Sequence, residues 1–345
     1  MTLQRTDVFG TMRADLDRVN ARVAQAAEVN YPVVAHLLAD IVQAGGKRLR
    51  PLLLLLAARA YDYEANFDPL ITAAAGVELL HTASLIHDDT VDRAALRRGK
   101  PTLNSQLSSG AVILIGDYLF AQSAMLAAAT NSTRVVAVFA STLGDICDGQ
   151  LMEIFDAQRL DQTREEYERR IYGKTASLFA GSAEMGAILG RAPETHIEAL
   201  RRYGADLGSA FQVVDDILDL TGGTQDLGKP AGNDLRQGTV TLPTIFYLAG
   251  QSRASAEWRE IEAIVGGHGT DNGVVDSAIH SIRSSGAIDQ AIAVAEEYVA
   301  RAKATVSVIP DEETRELLIE LADLAVHDPA AFAKIAEQAK AALQA

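Results

Sequence analysis

The stretch Ile71-Thr72-Ala73-Ala74-Ala75-Gly76-Val77-Glu78-Leu79-Leu80-His81-Thr82-Ala83-Ser84-Leu85-Ile86-His87-Asp88-Asp89 decides the fold. It is apolar on nearly every side until its acidic end, and a helix of that kind belongs in the middle of a bundle rather than on its surface. Outward from it, the proline-free tract from Leu103 to Ala192 is rich in Ala, Leu, Ile and Gln, mostly good or tolerable helix formers. No stretch shows sustained period-2 alternation with β-branched residues, so an all-α chain is expected. Within that tract Val136, Phe139, Ala140, Leu143, Cys147, Leu151 and Ile154 recur at three- and four-residue steps. That spacing predicts one buried stripe with Cys147 on it as a small core residue. Loops are expected at Gln43–Arg50, Arg93–Leu103 and Thr221–Pro243, with a further polar break at Gly266–Gly273. No linker divides the chain, so residues 1–345 read as a single helical domain.

The chain has 345 residues and 48% hydrophobic content, with 31 Lys+Arg against 46 Asp+Glu and a net charge of −15. Such an acidic balance argues against nucleic-acid binding, whose affinity rests on phosphate neutralisation. An anionic substrate needs local cations or bridging metal. A single cysteine makes no internal disulfide and no thiolate zinc site, which fits a reducing cytosol. The N-terminus, MTLQRTDVFGTMRADLDRV, has no apolar signal region. Uninterrupted apolar runs such as Pro51–Ala58 and Ala111–Gly116 fall well short of the ~20 residues of a membrane span. A cytoplasmic protein with no membrane span is expected.

The chemistry starts at Asp88-Asp89-Thr90-Val91-Asp92. At i, i+3 and i+4 on a helix these carboxylates converge, and their repulsion calls for a counter-ion. Magnesium typically takes one or two carboxylates plus substrate phosphates. The pattern returns at Asp215-Asp216-Ile217-Leu218-Asp219, again in an apolar helical run and again before a glycine-rich loop. Two carboxylate sets point to a polynuclear metal site of the kind helix bundles build. Cations gather in the segments Gly45-Gly46-Lys47-Arg48-Leu49-Arg50-Pro51 and Arg97-Arg98-Gly99-Lys100-Pro101-Thr102, and recur at Lys174 and Lys229. Backbone amides and guanidinium forks in that arrangement suit phosphates. Taken singly, Lys100 and Arg48 read as ordinary surface residues; the whole set does not.

These motifs, in this order, resemble the trans-isoprenyl diphosphate synthases, the head-to-tail polyprenyl synthetase family: GGKRLRP at 45–51, ELLHTASLIHDDTVD at 78–92, RRGKPT at 97–102, KT at 174–175, FQVVDDILD at 211–219 and GKPAGNDL at 228–235. The resemblance implies a large helical bundle around a central cavity, and a condensation of isopentenyl diphosphate with an allylic prenyl diphosphate. It implies Mg²⁺, three ions per active site, held by Asp88, Asp89 and Asp92 and by Asp215, Asp216 and Asp219. It gives Lys47, Arg50, His81 and Arg98 to isopentenyl diphosphate, and Arg97, Lys174, Thr175, Gln212 and Lys229 to the allylic diphosphate. It also implies a homodimer. His87, beside the metal motif, reads as structural or as a support for the metal ligands. Clustered metal and cations stabilise the departing diphosphate; no side chain stands out as a protein base.

Where many relatives carry a lysine, this chain reads Gly238-Thr239-Val240-Thr241, so Thr239 receives no phosphate role. About one helical turn before Asp88 stand Ala83 and Ser84. In short-chain relatives a bulky aromatic floors the product tunnel in this region; its absence predicts a product of about C30–C50, with C20 as the alternative. Deeper, Ser123, Ala124 and Ala127 are small, while Phe120 and Met125 are candidate blocks. A terpene cyclase needs only one diphosphate and so not both cationic segments. A regulatory subunit of a two-part synthase usually lacks the aspartates, all six of which stand here. Peripheral membrane contact for release of a greasy product stays open.

Overall fold

The computed structural model describes residues 8–44, 48–97, 100–222, 231–268 and 271–327. Its helices are α1 (Val8–Ala26), α2 (Pro32–Ala44), α3 (Leu49–Arg59), α4 (Phe67–Val91), α5 (Ser109–Ala129), α6 (Thr133–Asp156), α7 (Arg164–Ile171), α8 (Ser177–Leu189), α9 (Glu194–Thr221), α10 (Asn233–Arg236), α11 (Leu242–Ala249), α12 (Ala256–Val265), α13 (Asn272–Ser284), α14 (Ala287–Thr305) and α15 (Glu312–His327). The only sheet among the described residues is a hairpin of two-residue strands, β1 (Leu96–Arg97) and β2 (Lys100–Pro101), with Arg97 opposite Lys100. The fold is all-α, as expected. The expected loops are shorter than read: Gln43 and Ala44 belong to α2, Leu49 and Arg50 open α3, and α10 lies inside the third.

Two compact units emerge, one of residues 1–143, 178–205 and 301–345, the other of residues 144–177 and 206–300. In the first, the leucine run of α3 is buried throughout, from Leu52 to Ala58. Beside it α4 buries residues on every face from Leu70 to Ala83, and packs along α5. In the second, Tyr167 of α7, Val213 and Leu220 of α9, and Ile261, Val275 and Ala291 are each at most 1% exposed.

The stripe expected on α6 holds only in part, at Phe139, which is buried, and Leu143, which is half-buried. Val136, Cys147, Leu151 and Ile154 are exposed, and the buried face is Val135, Phe139, Thr142, Ile146 and Gly149. The sequence-derived stripe is therefore out of phase by about one residue. α6 is apolar on both sides, so periodicity alone does not fix which face is buried.

The apolar helices are also longer than the uninterrupted runs suggested. Glu64–Val91, Ser109–Ala129 and Thr133–Asp156 are each long and apolar enough to cross a membrane by length and composition.

Candidate active site

The first acidic motif closes α4. Arg93, at φ 51°, takes the left-handed conformation that ends the helix, and the Ala94 amide donates back to the Asp89 carbonyl at 2.9 Å. The Thr102 hydroxyl donates to the Ala94 carbonyl, and Thr90 donates to Asn104 Oδ1 at 3.1 Å, so the following loop is tied to the helix end. The carboxylates differ in placement. Asp89 is buried, and its Oδ1 accepts from Arg97 Nε at 2.7 Å. Burial pushes the Asp89 carboxyl above the usual range, and Arg97 works against that shift. Asp88 is half-buried and Asp92 exposed. All three stand at the C-terminal end of α4, where the helix dipole is itself negative, so a cation there is favoured twice over.

Two further assigned residues belong to the same unit. Arg50, in the first turn of α3, lays its guanidinium over the Phe179 ring at 4.5 Å. His81 lies half-buried on α4. At 100° per residue His81, Leu85, Asp88 and Asp92 share one face of α4. Lys47, Arg98 and Lys229 lie outside the described residues.

Arg48 is no surface residue. Its side chain is only 12% exposed and makes an ion pair with Glu78, itself 4% exposed. Its Nε donates to Asn20 Oδ1 at 2.8 Å and its Nη2 to the Val42 carbonyl at 3.0 Å. One guanidinium fork thus joins α1, α2 and α4, while its own backbone, at φ 49°, opens α3. Lys100 is exposed.

On the opposite side of α4 the packing is tight. A methyl group on Gly116 of α5 would stand 2.5 Å from the His87 ring, and one on Gly76 would stand 3.3 Å from the Ser123 carbonyl oxygen. Ala83, fully buried, falls between Gly76 and His87 on that face. Ser84 is half-buried, and its hydroxyl donates to the His81 carbonyl at 2.8 Å. His87 packs on Phe120 with ring centroids 4.9 Å apart, and its Nε2 lies 3.3 Å from Asp117 Oδ1. That is the structural part expected of it. Of the two residues considered as deeper blocks, Met125 is 63% exposed and Phe120 half-buried.

The second unit carries the other motif near the C-terminal end of α9. Asp215 is exposed, whereas Asp216 and Asp219 are each 4% exposed. Asp216 Oδ2 accepts from the Tyr167 hydroxyl at 2.6 Å, and its Oδ1 accepts from Gln212 Nε2 at 2.8 Å. Burial pushes the Asp216 carboxyl well up; the two hydrogen bonds oppose this, and the charge of Asp215 adds to it. Asp219 Oδ2 accepts from the Asp234 amide at 3.1 Å, and its backbone carbonyl accepts from the Gly232 amide, which fastens the start of α10 to the motif.

Lys174 and Thr175 sit in a π-helical turn, Tyr172–Ala176, directly after α7. Such turns concentrate at functional sites. α7 starts with a reciprocal cap between Thr163 and Glu166. Its last turn carries the buried Arg170, which donates to Gln162 Oε1 and to the Val240 carbonyl, each at 2.6 Å. The bulge rests against α6, where a methyl group on Gly149 would meet the Lys174 amide nitrogen at 2.2 Å. Lys174 pairs with Glu153, and the Thr175 hydroxyl donates to Gln212 Oε1 at 2.7 Å. Tyr167, Glu153, Arg170 and the Arg48–Glu78 pair were not singled out from sequence. The one legible signal was Glu78, a carboxylate inside an otherwise apolar helix.

Among the described residues no three His, Cys, Asp or Glu side chains form a ready metal cage. The donor set suits magnesium nonetheless. Asp88, half-buried, and Asp92 and Asp215, both exposed, offer hard oxygen ligands, and magnesium commonly completes its shell with water and phosphate.

Comparison with known proteins agrees with these motifs. A family model described as polyprenyl synthetase matches residues 31–282. Heptaprenyl diphosphate synthase component 2 of Geobacillus stearothermophilus is 38% identical over 315 residues, covering 91% of this chain and 96% of its own. Octaprenyl diphosphate synthase of Escherichia coli is 35% identical over 312 residues, covering 90% and 95%. A polyprenyl synthase from Caulobacter crescentus, crystallised with calcium and isoprenyl diphosphate, superposes with a TM-score of 0.86 at 36% identity, covering 93% of this chain and 96% of that one.

Proposed function

The chain belongs to the polyprenyl synthetase family and is a prenyltransferase making medium- to long-chain trans-polyprenyl diphosphates, and we propose which of its residues carry the reaction. Asp88 and Asp92 in the first motif and Asp215 in the second would hold Mg²⁺, while Asp89, Asp216 and Asp219 organise the surroundings. The observation that carries this division is burial: the first three carboxylates reach solvent, and the other three are enclosed by protein donors. The metal, when bound, stabilises the negative charge that builds on the departing diphosphate. Arg97, still 39% exposed beside Asp89, contacts that diphosphate, and Lys229 serves the same group. Lys174, Thr175 and Gln212 close on the allylic end. Lys47, Arg50, His81 and Arg98 hold isopentenyl diphosphate, so that its double bond meets the allylic cation. The leaving diphosphate takes the proton lost at the end. Ala83 and Ser84 leave room for a C30–C50 chain; the heptaprenyl and octaprenyl names of the relatives support this over C20.

A second copy of the chain covers the apolar faces of α5 and α6 in this reading. Ile113, Leu114 and Met125 of α5, and Val136, Leu151, Ile154 and Phe155 of α6, are all exposed. A self-complementary face is the usual basis of a homodimer. A lipid occupant is disfavoured because Asp117, exposed on α5, would cost about 2.5–3.5 kcal/mol at a bilayer centre. The component 2 name of one relative makes a heteromeric partner the competing occupant.

The test is incubation with isopentenyl and farnesyl diphosphates. Magnesium-dependent diphosphate release only when both substrates are present, with C30–C50 products by mass spectrometry, supports the reading. Release without isopentenyl diphosphate marks a cyclase, and no release marks an inert subunit. Light scattering on the same sample distinguishes a dimer from the 36.8 kDa monomer.

A further inference from the structure

The second acidic motif and the Lys174–Thr175 bulge are joined by an unbroken series of hydrogen bonds. Tyr167 Oη donates to Asp216 Oδ2 at 2.6 Å, Gln212 Nε2 donates to Asp216 Oδ1 at 2.8 Å, and Thr175 Oγ1 donates to Gln212 Oε1 at 2.7 Å. Tyr167 is 0% exposed, Asp216 4% and Thr175 8%. Gln212 turns its amide nitrogen to Asp216 and its amide oxygen to Thr175, so the Thr175 hydroxyl is the donor in that contact. That leaves Thr175 its single proton committed to Gln212, and only lone pairs to offer elsewhere. Both oxygens of Asp216 are turned inward to protein donors, unlike Asp215 one residue before it, which is exposed.

We propose that Tyr167 is a positioning residue for prenyl transfer: through Asp216 and Gln212 it fixes the Thr175 hydroxyl and the π-helical turn around it, so that Asp216 is the hub of this relay and not a metal ligand. The inference rests on the reading that the bulge closes on the allylic group. It assigns the two leading aspartates of one motif to different tasks, Asp215 to the metal and Asp216 to the geometry of Thr175. The π turn has good reason to need such a hold, because a helix widened to i→i+5 bonding is an uncommon local conformation that the surrounding structure must maintain.

The test uses the full chain and four variants, Tyr167→Phe, Thr175→Val, Asp215→Asn and Asp216→Asn, with folding checked by circular dichroism. Tyr167→Phe removes one oxygen and conserves volume. The relay predicts that kcat falls about 10- to 100-fold, with KM for isopentenyl diphosphate and the half-saturating Mg²⁺ concentration within about twofold of the parent chain. Combining Tyr167→Phe with Thr175→Val leaves the rate no lower than that of Thr175→Val alone, since both break one series. Asp215→Asn raises the half-saturating Mg²⁺ concentration strongly, and Asp216→Asn lowers kcat without doing so. A Mg²⁺ shift for Asp216→Asn equal to that for Asp215→Asn overturns the proposal, as do multiplicative losses in the double variant. Should Tyr167→Phe not fold, Gln212→Met with Thr175→Val applies the same coupling test. A parent chain with no condensation activity at all refutes the underlying functional reading instead, and is recognised before any variant is made.

Discussion

Replacing Gly149 with alanine isolates the contact that seats the π-helical turn. The added methyl group would lie 2.2 Å from the Lys174 amide nitrogen and 2.7 Å from the Gly173 carbonyl carbon, where ordinary contact starts at 3.4 Å. Both obstacles are backbone, so no side chain can swing away; the turn must retreat by about 1.2 Å, the shortfall in the closer contact. Overpacking of this size costs about 1–3 kcal/mol, a loss of several degrees in Tm at roughly 2–4 °C per kcal/mol. A displacement of about 1 Å at a reacting group costs about 10²-fold in rate. The expected variant is therefore folded at 20 °C, slower by about two orders of magnitude in kcat, and little changed in KM for isopentenyl diphosphate, whose residues Arg50 and His81 belong to the other unit. Incorporation of radiolabelled isopentenyl diphosphate at saturating substrates, normalised to the folded fraction, measures it. Turnover within about threefold of the parent would show that the bulge position does not govern the chemistry.

Two other substitutions probe the first unit. Ala83→Phe places a ring on the fully buried face of α4 between Gly76 and His87, and should shorten the product without abolishing turnover; unchanged product length on thin-layer chromatography would remove Ala83 from the tunnel. Arg48→Met strips the buried Glu78 of its ion pair and leaves Asn20 and the Val42 carbonyl without their donor. Breaking one side of a buried pair typically costs about 3–5 kcal/mol, so denaturant melts should show a large fall in midpoint, and Arg48→Met combined with Glu78→Leu should recover part of it.

α4 was legible in the sequence because hydrophobicity on all sides leaves a helix only one place to go, and the two acidic motifs were legible because carboxylates at i, i+3 and i+4 repel without a partner. What the carboxylates do individually was not. Asp89, Asp216 and Asp219 are buried against the donors Arg97, Tyr167 and the Asp234 amide, and the tyrosine comes from 49 residues away, beyond any local pattern. The phase of α6 was misread because counting apolar residues favours Val136, Cys147 and Leu151. Packing instead chose Thr142 and Gly149, whose small size admits a neighbouring backbone. Arg48 was misjudged because an arginine in a short cationic run beside glycines looks solvated until its three partners on other helices are known.

That one-residue shift of α6 also determines the fate of the only sulfhydryl in the chain. Cys147 is carried with Leu151 and Ile154 to the exposed face of α6, the face that a second copy covers in the proposed dimer. Partial burial, reinforced by the negative charge of Asp148, holds its pKa above the ordinary thiol value. Since the thiolate is the reactive form, the raised pKa keeps the sulfur chemically quiet even in a chain that has not yet met its partner.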